Sequence, residues 1–202
     1  HRLRSLAWSV LFDAQPQPHR LVLADGLQEH LWRLPGLHGL PHLHGRKWYS
    51  WAKVFFDSRN KMSLLCAANQ ITKSSTQIRK CVEWAGNPAL WPELWDETKQ
   101  PPRQFWYLYP DSKTATSEFN LKWVPEFLPQ GEYKKHKTYG WEPVYGDRKR
   151  IEAIKFNSGV TVFFKTYEQD VQNLQSGTCH AIFADEELPT EFYDELMLRI
   201  SA

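Results

Sequence analysis

Residues 62–75 read MSLLCAANQITKSS, and residues 180–187 read HAIFADEE. Each is a short apolar run that ends in polar or ionisable residues. Met62–Ala68 is bounded by polar residues and predicts a buried parallel strand. NQITKS then reads as a loop, and Ser74–Trp84 has helical periodicity through Ile78, Cys81 and Val82. Strand, loop, helix is the order that a phosphate-binding turn needs. The pattern GxxxxGK[ST] falls on Ala67, then Ala68, Asn69, Gln70 and Ile71, then Thr72, Lys73 and Ser74. In such a turn the backbone N–H groups wrap around phosphates, the Lys reaches the β/γ oxygens and the hydroxyl holds Mg²⁺. Both pattern glycines are replaced, by Ala67 and Thr72. The second replacement matters more, because close backbone approach and a positive φ favour Gly there. Taken alone, the stretch also reads as a surface Lys that opens a helix.

The second stretch complements the first. A buried strand that delivers adjacent carboxylates at its C-terminal end has the Walker B layout. Asp185 would hold Mg²⁺ through water, and Glu186 would orient or deprotonate an attacking water. The competing reading is a set of acids that complement the dipole of the next helix. In open α/β sheets, ligands bind at the carboxyl ends of strands. Both stretches lie at such ends, in the right order and about 110 residues apart.

Working outward, WYSWAKVFFDSR (residues 48–59) puts Trp48, Trp51, Ala52, Phe55 and Phe56 at helical spacing. RQFWYLYPD (103–111) predicts a strand ending at Pro110, and NLKWVPEFLPQG (120–131) a short helix and turn. Ile151–Phe156 and Val160–Tyr167 predict strands joined by a tight turn at Asn157–Gly159. Pro189 opens a final helix with Phe192, Leu196 and Ile200 four residues apart. Residues 1–46 predict two amphipathic helices, over Leu3–Phe12 and Arg20–Leu34, followed by the Gly/Pro-rich loop PGLHGLPHLHG. His38, His42 and His44 in that loop suit zinc or nickel by ligand type, but lack a carboxylate partner.

Composition sets the outer bounds. The 202 residues fit one domain with a sizeable core. A hydrophobic fraction of 42%, with ten Trp, excludes a disordered or collagen-like chain. No apolar run is long enough for a membrane span. The formal net charge of +2 argues against a protein that coats nucleic acid by bulk charge. The charge is also unevenly placed: all Lys lie at or after Lys47, and six of the eight His at or before His44. This divides the chain into an N-terminal helical and loop segment of separate composition, 1–46, and a second part, 47–202. Glu132–Lys155 holds seven basic and four acidic residues, whereas Thr166–Ala202 holds eight acidic residues and one Arg. Three Cys without a CxxC argue against a disulfide framework and for a reducing cytosol.

Lys47–Ile200 resembles the ATPase domain of the large terminase subunit, the DNA-packaging motor of tailed bacteriophages. Four stretches carry the resemblance: LLCAANQITKSS, GVTVFFKTYEQD, LQSGT and HAIFADEELPTEFYDELMLRI. They are similar to the family's divergent Walker A (ANQxGKS), its SYEQ segment, its FQGT turn, and its Walker B strand with the Pro and helix that follow. About 155 of the 202 residues are covered, and residues 1–46 are not.

The resemblance implies a P-loop NTPase of the ASCE type, with a mainly parallel central sheet flanked by helices. It implies that the chain is a fragment, truncated on its C-terminal side, with the nuclease domain outside it. ATP and Mg²⁺ would be the cofactors. A homo-oligomeric ring would drive double-stranded DNA through a portal protein into a procapsid, in the host cytoplasm and with the small terminase subunit as partner. Lys73 would ligate the β/γ phosphates, Ser74 with Ser75 the Mg²⁺, Asp185 the Mg²⁺ shell, and Glu186 would be the catalytic carboxylate. Trp48, Tyr49 and Trp51 are the candidates to grip adenine, against the alternative that they pack a helix onto the core. Arg148 and Arg150 are the candidates for an arginine finger, against the alternative of a solvated basic turn. Two rival functions stand beside this one: an inert P-loop-like structural or DNA-binding module, and a helicase-type ATPase.

Overall fold

The computed structural model describes residues 7–12, 20–23, 29–30, 48–58, 62–67, 72–90, 102–167, 179–190, 192–194 and 196. They form an α/β fold around a mixed sheet. In chain order the strands are β1 (Ala7–Phe12), β2 (Arg20–Leu23), β3 (Glu29–His30), β4 (Trp48–Tyr49), β5 (Met62–Ala67) and β6 (Gln104–Tyr109). β7 (Trp141–Tyr145), β8 (Ile151–Phe156), β9 (Thr161–Thr166) and β10 (Ala181–Ala184) follow. The helices are α1 (Ser50–Asp57), α2 (Lys73–Gly86) and α3 (Ser112–Glu118), the last running into a π-helical stretch, Phe119–Phe127. Eight strands make one sheet in the order β2-β5-β1-β10-β6-β9-β8-β7, and β3 pairs with β4 apart from it.

β10, β6 and β9 are parallel neighbours, and β5 is parallel to β2. β1 runs antiparallel to both β5 and β10, so β5 points the same way as β10. β8 reverses and β7 reverses again. The C-terminal ends of β5, β10, β6, β9 and β7 therefore share one edge of the sheet.

The expected mainly parallel sheet is corrected to a mixed one, because β1 and β8 run against the rest. The two helices expected before residue 47 are also corrected: Ala7–Phe12 and Arg20–Leu23 are strands. Short apolar runs such as AWSVLF do not separate helix from strand by periodicity. The slot between β5 and β10 offers hydrogen bonds on both sides of β1, which an isolated helix cannot match.

Trp48, expected on the face of the first helix, lies in β4 instead, and α3 was not expected, while β5, β6, β8, β9 and β10 sit where the apolar runs place them. Alternate residues of β6 and β10 face opposite sides of the sheet. Phe105, Tyr107, Tyr109, Ala181 and Phe183 join the larger core, with Ile78, Val82 and Trp84 of α2 and Phe55 of α1. Trp106, Leu108, Ile182 and Ala184 face the other way and pack with Phe192 and Leu196, which are helical as expected. Burial on both faces is why these strands read as continuous apolar runs. Asp111 opens α3 by accepting from the N–H groups of Lys113 and Thr114. The turn after β8 closes with Gly159 at φ +94°, where Gly avoids strain.

Candidate functional site

The C-terminal edge of the sheet brings the two stretches together. β5 ends at Ala67, and Ala68, Asn69, Gln70 and Ile71 lie outside the described residues. The chain resumes at Thr72, which caps α2 in the left-handed region at φ 64°, ψ 24°. This is the position where the motif carries its second Gly. A β-branched residue is a rare occupant of that region and costs about 1–2 kcal/mol there. Thr76, one turn on, holds the strained residue: its backbone N–H and its hydroxyl both donate to the Thr72 carbonyl, at 2.9 and 2.8 Å.

Lys73 is the first residue of α2 and is buried, as is Ser75, while Ser74 is partly buried. Ser74 stands close enough to Asp185, the first residue after β10, to pull its carboxyl pKa down. Two segments about 110 residues apart thus come together at one edge of the sheet. Next to Asp185, the Gln77 side-chain amide donates to the carbonyl of Ala184 at 3.0 Å, fully buried. Gln77 lies three residues after Ser74, on the same helix face. This bond joins α2 to the end of β10 beside Asp185. The Asp185 N–H donates to Leu108 O at 3.3 Å, which extends the β10–β6 ladder one residue past the strand.

Burial pushes the Asp185 carboxyl up to about 6; Ser74 and the nearby Lys122 pull the other way, while Glu118 and Glu186 add to the rise. Glu118 and Lys122 are themselves paired at 2.6 Å. The phenols of Tyr107 and Tyr109 lie beneath, held well above their usual range by burial and by the Asp185 charge. Glu186 is exposed, and its carbonyl accepts from the Tyr167 hydroxyl at 3.3 Å. Tyr167 is also shifted up, chiefly by burial and then by Asp185 and Glu186.

The aromatic candidates sit elsewhere. Trp48 is buried edge-on to Phe56, with the Arg79 guanidinium 4.7 Å above its ring. Trp51 is buried in the core and Tyr49, half-buried, lies nearly parallel to it at 6.2 Å. Trp48 thus meets the middle of α2, nearly two turns from Lys73.

Arg148 is exposed and Arg150 partly buried, in the β7–β8 turn. They are on the same sheet edge as Asp185 but three strand positions away, roughly 14 Å at the usual strand spacing. The loop histidines 38, 42 and 44 lie outside the described residues. No group of three or more His, Cys, Asp or Glu that could hold a metal occurs among the described residues. Cys81 and Cys179 are free and buried. No described helix is long and apolar enough to cross a membrane.

Sequence reasoning missed Gln77, Thr76, Tyr167 and the Glu118–Lys122 pair. Gln77 and Thr76 were accessible by helical spacing from Ser74 and Thr72. The others reach the site only through the packing of separate elements. Searches of family models, of curated proteins and of solved structures return no match to this chain.

Proposed function

We propose that this chain is a P-loop-type ATPase core of the large-terminase kind, which hydrolyses ATP to translocate double-stranded DNA. The observation that carries the reading is that the start of α2, with Ser74, lies against the end of β10, with Asp185, at the shared C-terminal edge of β5 and β10, held there by the Gln77–Ala184 hydrogen bond. A hydroxyl and a carboxylate are hard oxygen donors. Mg²⁺ takes one or two such protein ligands and completes its shell with water and phosphate oxygens. The pair therefore fits that ion without any larger cluster. When bound, Mg²⁺ would neutralise charge on the terminal phosphates.

The chain's own residues supply the rest. Lys73, at the start of α2, reaches the β/γ phosphate oxygens, and Ser75 stands beside Ser74 as a second hydroxyl. The left-handed Thr72 turns the chain into the helix. Asp185 would hold the metal shell, and the exposed Glu186 next to it would orient the attacking water. Arg148 and Arg150 lie on the β7–β8 turn, three strand positions along the edge from Asp185. A finger role for them would act on a neighbouring subunit of a ring. Portal protein, small terminase subunit and DNA are the partners of that assembly.

The strain at Thr72 favours a second reading, an inert module with a P-loop-like core. Calorimetry with ATP and Mg²⁺ separates the two. Micromolar to submillimolar binding, with hydrolysis lost in Glu186→Ala and Lys73→Ala, is the result expected of the ATPase. Absence of binding at millimolar nucleotide selects the inert module. Normal hydrolysis by folded Lys73→Ala overturns the site.

A further inference from the structure

We infer that the cleft between the β7–β8 turn and the start of α3 is a second ligand site, for a small phosphate ester bearing hydroxyl groups, of about the size of a pentose phosphate. It is independent of the ATPase reading. The cleft is a cavity of about 360 Å³, within the usual range for small-ligand pockets. It stands on the C-terminal edge of β6 and β9, where Tyr109 and Thr166 pair in register and where α/β sheets present ligands.

Its lining is chemically divided. Arg148 and Arg150 supply two guanidinium groups, with the hydroxyls of Ser112 and Thr166 nearby. Neither guanidinium makes an ion pair among the described residues. A planar guanidinium fits two oxygens of a phosphate at once, and two of them suit a dianion. Asp147 and Glu152 also line the cavity. These acids would repel a bare anion, but they accept hydrogen bonds from sugar hydroxyls. Phe164 forms an apolar floor. A phosphate joined to a polyol uses all three kinds of surface.

The turn is held in shape for such a task. Arg148 and Lys149 are both in the left-handed region, at φ 56° and 57°. Two such residues in succession are strained, and strain of this kind gathers at binding sites. Gly146 N–H donates to Arg150 O at 2.9 Å, and Arg150 N–H to Asp147 O at 3.3 Å, which close the turn. The Glu152 carboxylate packs against Gly146, where any Cβ would collide with it. Arg150 and Ser112 also line the adjoining cavity with Asp111, Lys113 and Thr114.

The test is an amide NMR titration of the full chain with ribose 5-phosphate and with inorganic phosphate. Saturable shifts at Ser112, Arg150 and Thr166 are expected, with the sugar phosphate binding more tightly. Arg148→Ala combined with Arg150→Ala should weaken binding about tenfold or more, and the same spectra report whether the variant is folded. Glu152→Gln should keep phosphate binding and lose the preference for the sugar phosphate. Lys73→Ala should leave the titration unchanged. The inference is overturned by an absence of saturable shifts at millimolar ligand, by binding that survives loss of both arginines, by equal affinity for the two probes, or by loss of binding in Lys73→Ala, which would move the probes to the other site.

Discussion

The Gln77 amide and the Ala184 carbonyl are joined by a buried 3.0 Å hydrogen bond between two segments 107 residues apart. It sits one residue before Asp185 and three residues after Ser74, so it fixes the register of α2 against β10 next to the candidate metal site. Gln77→Leu leaves the Ala184 carbonyl buried without its donor, which costs about 1–3 kcal/mol. Urea denaturation should show that loss. Mg²⁺ titration of ATP turnover should show a raised half-saturation point with a smaller change in maximal rate. An unchanged Mg²⁺ response would reduce Gln77 to a packing role.

Thr72→Gly removes the left-handed strain of a β-branched residue. The gain is about 1 kcal/mol, partly offset by the greater freedom of Gly in the unfolded chain. Stability should stay level or rise by up to that amount. ATP affinity should increase, because the loop approaches phosphate without a side chain. Calorimetry with Mg²⁺–ATP measures the second effect, and weaker binding by the variant would contradict it.

The Asp185 carboxyl, raised to about 6 from an ordinary 3.8, binds its proton more tightly in the folded than in the unfolded chain. The sign follows: its ionisation penalty is absent below the unfolded value, grows as pH rises from about 4 to 6, and is complete above that. By the shift it is at most about 3 kcal/mol. Asp185→Asn should therefore raise the melting temperature at pH 7–8, by up to several degrees, and change it little near pH 4. The same variant should lose Mg²⁺-dependent nucleotide binding. Thermal melts across that range, with and without Mg²⁺, are the check.

Arg79 and Glu83 form an ion pair at 2.6 Å inside α2, with exposures of 1% and 3%, and Arg79 lies over the rings of Trp48 and Phe56. Burial raises the Glu83 carboxyl against the pull of Arg79. Removing one partner strands a buried charge, so Arg79→Met should cost about 3–5 kcal/mol. Arg79→Met with Glu83→Leu should recover most of it. A double variant no better than the single one would mean that the pair is worth more than its desolvation. Chemical denaturation of the three variants decides.

The sequence alone determined the elements whose apolar pattern is long or closely bounded. The α1 face of Trp51, Ala52, Phe55 and Phe56, the strands β5, β6 and β10, and the β8–β9 hairpin are all where the residues place them. It also placed Ser74 and Asp185 next to strand ends that share one edge of the sheet. Burial periodicity and turn chemistry are local, so one segment suffices to read them.

Tertiary structure decided the rest, because it depends on what each segment meets. Ala7–Phe12 and Arg20–Leu23 become strands only because the sheet offers hydrogen-bond partners there. Trp48 is spent on packing because Arg79 and Phe56 enclose it. Gln77 gains a role only when β10 lies beside α2. Arg148 and Arg150 are set three strands from Asp185 by strand order, and no spacing along the chain encodes that order. The left-handed turn at Thr72 spans both sources: the motif asks for Gly, and the fold imposes the same φ on a threonine.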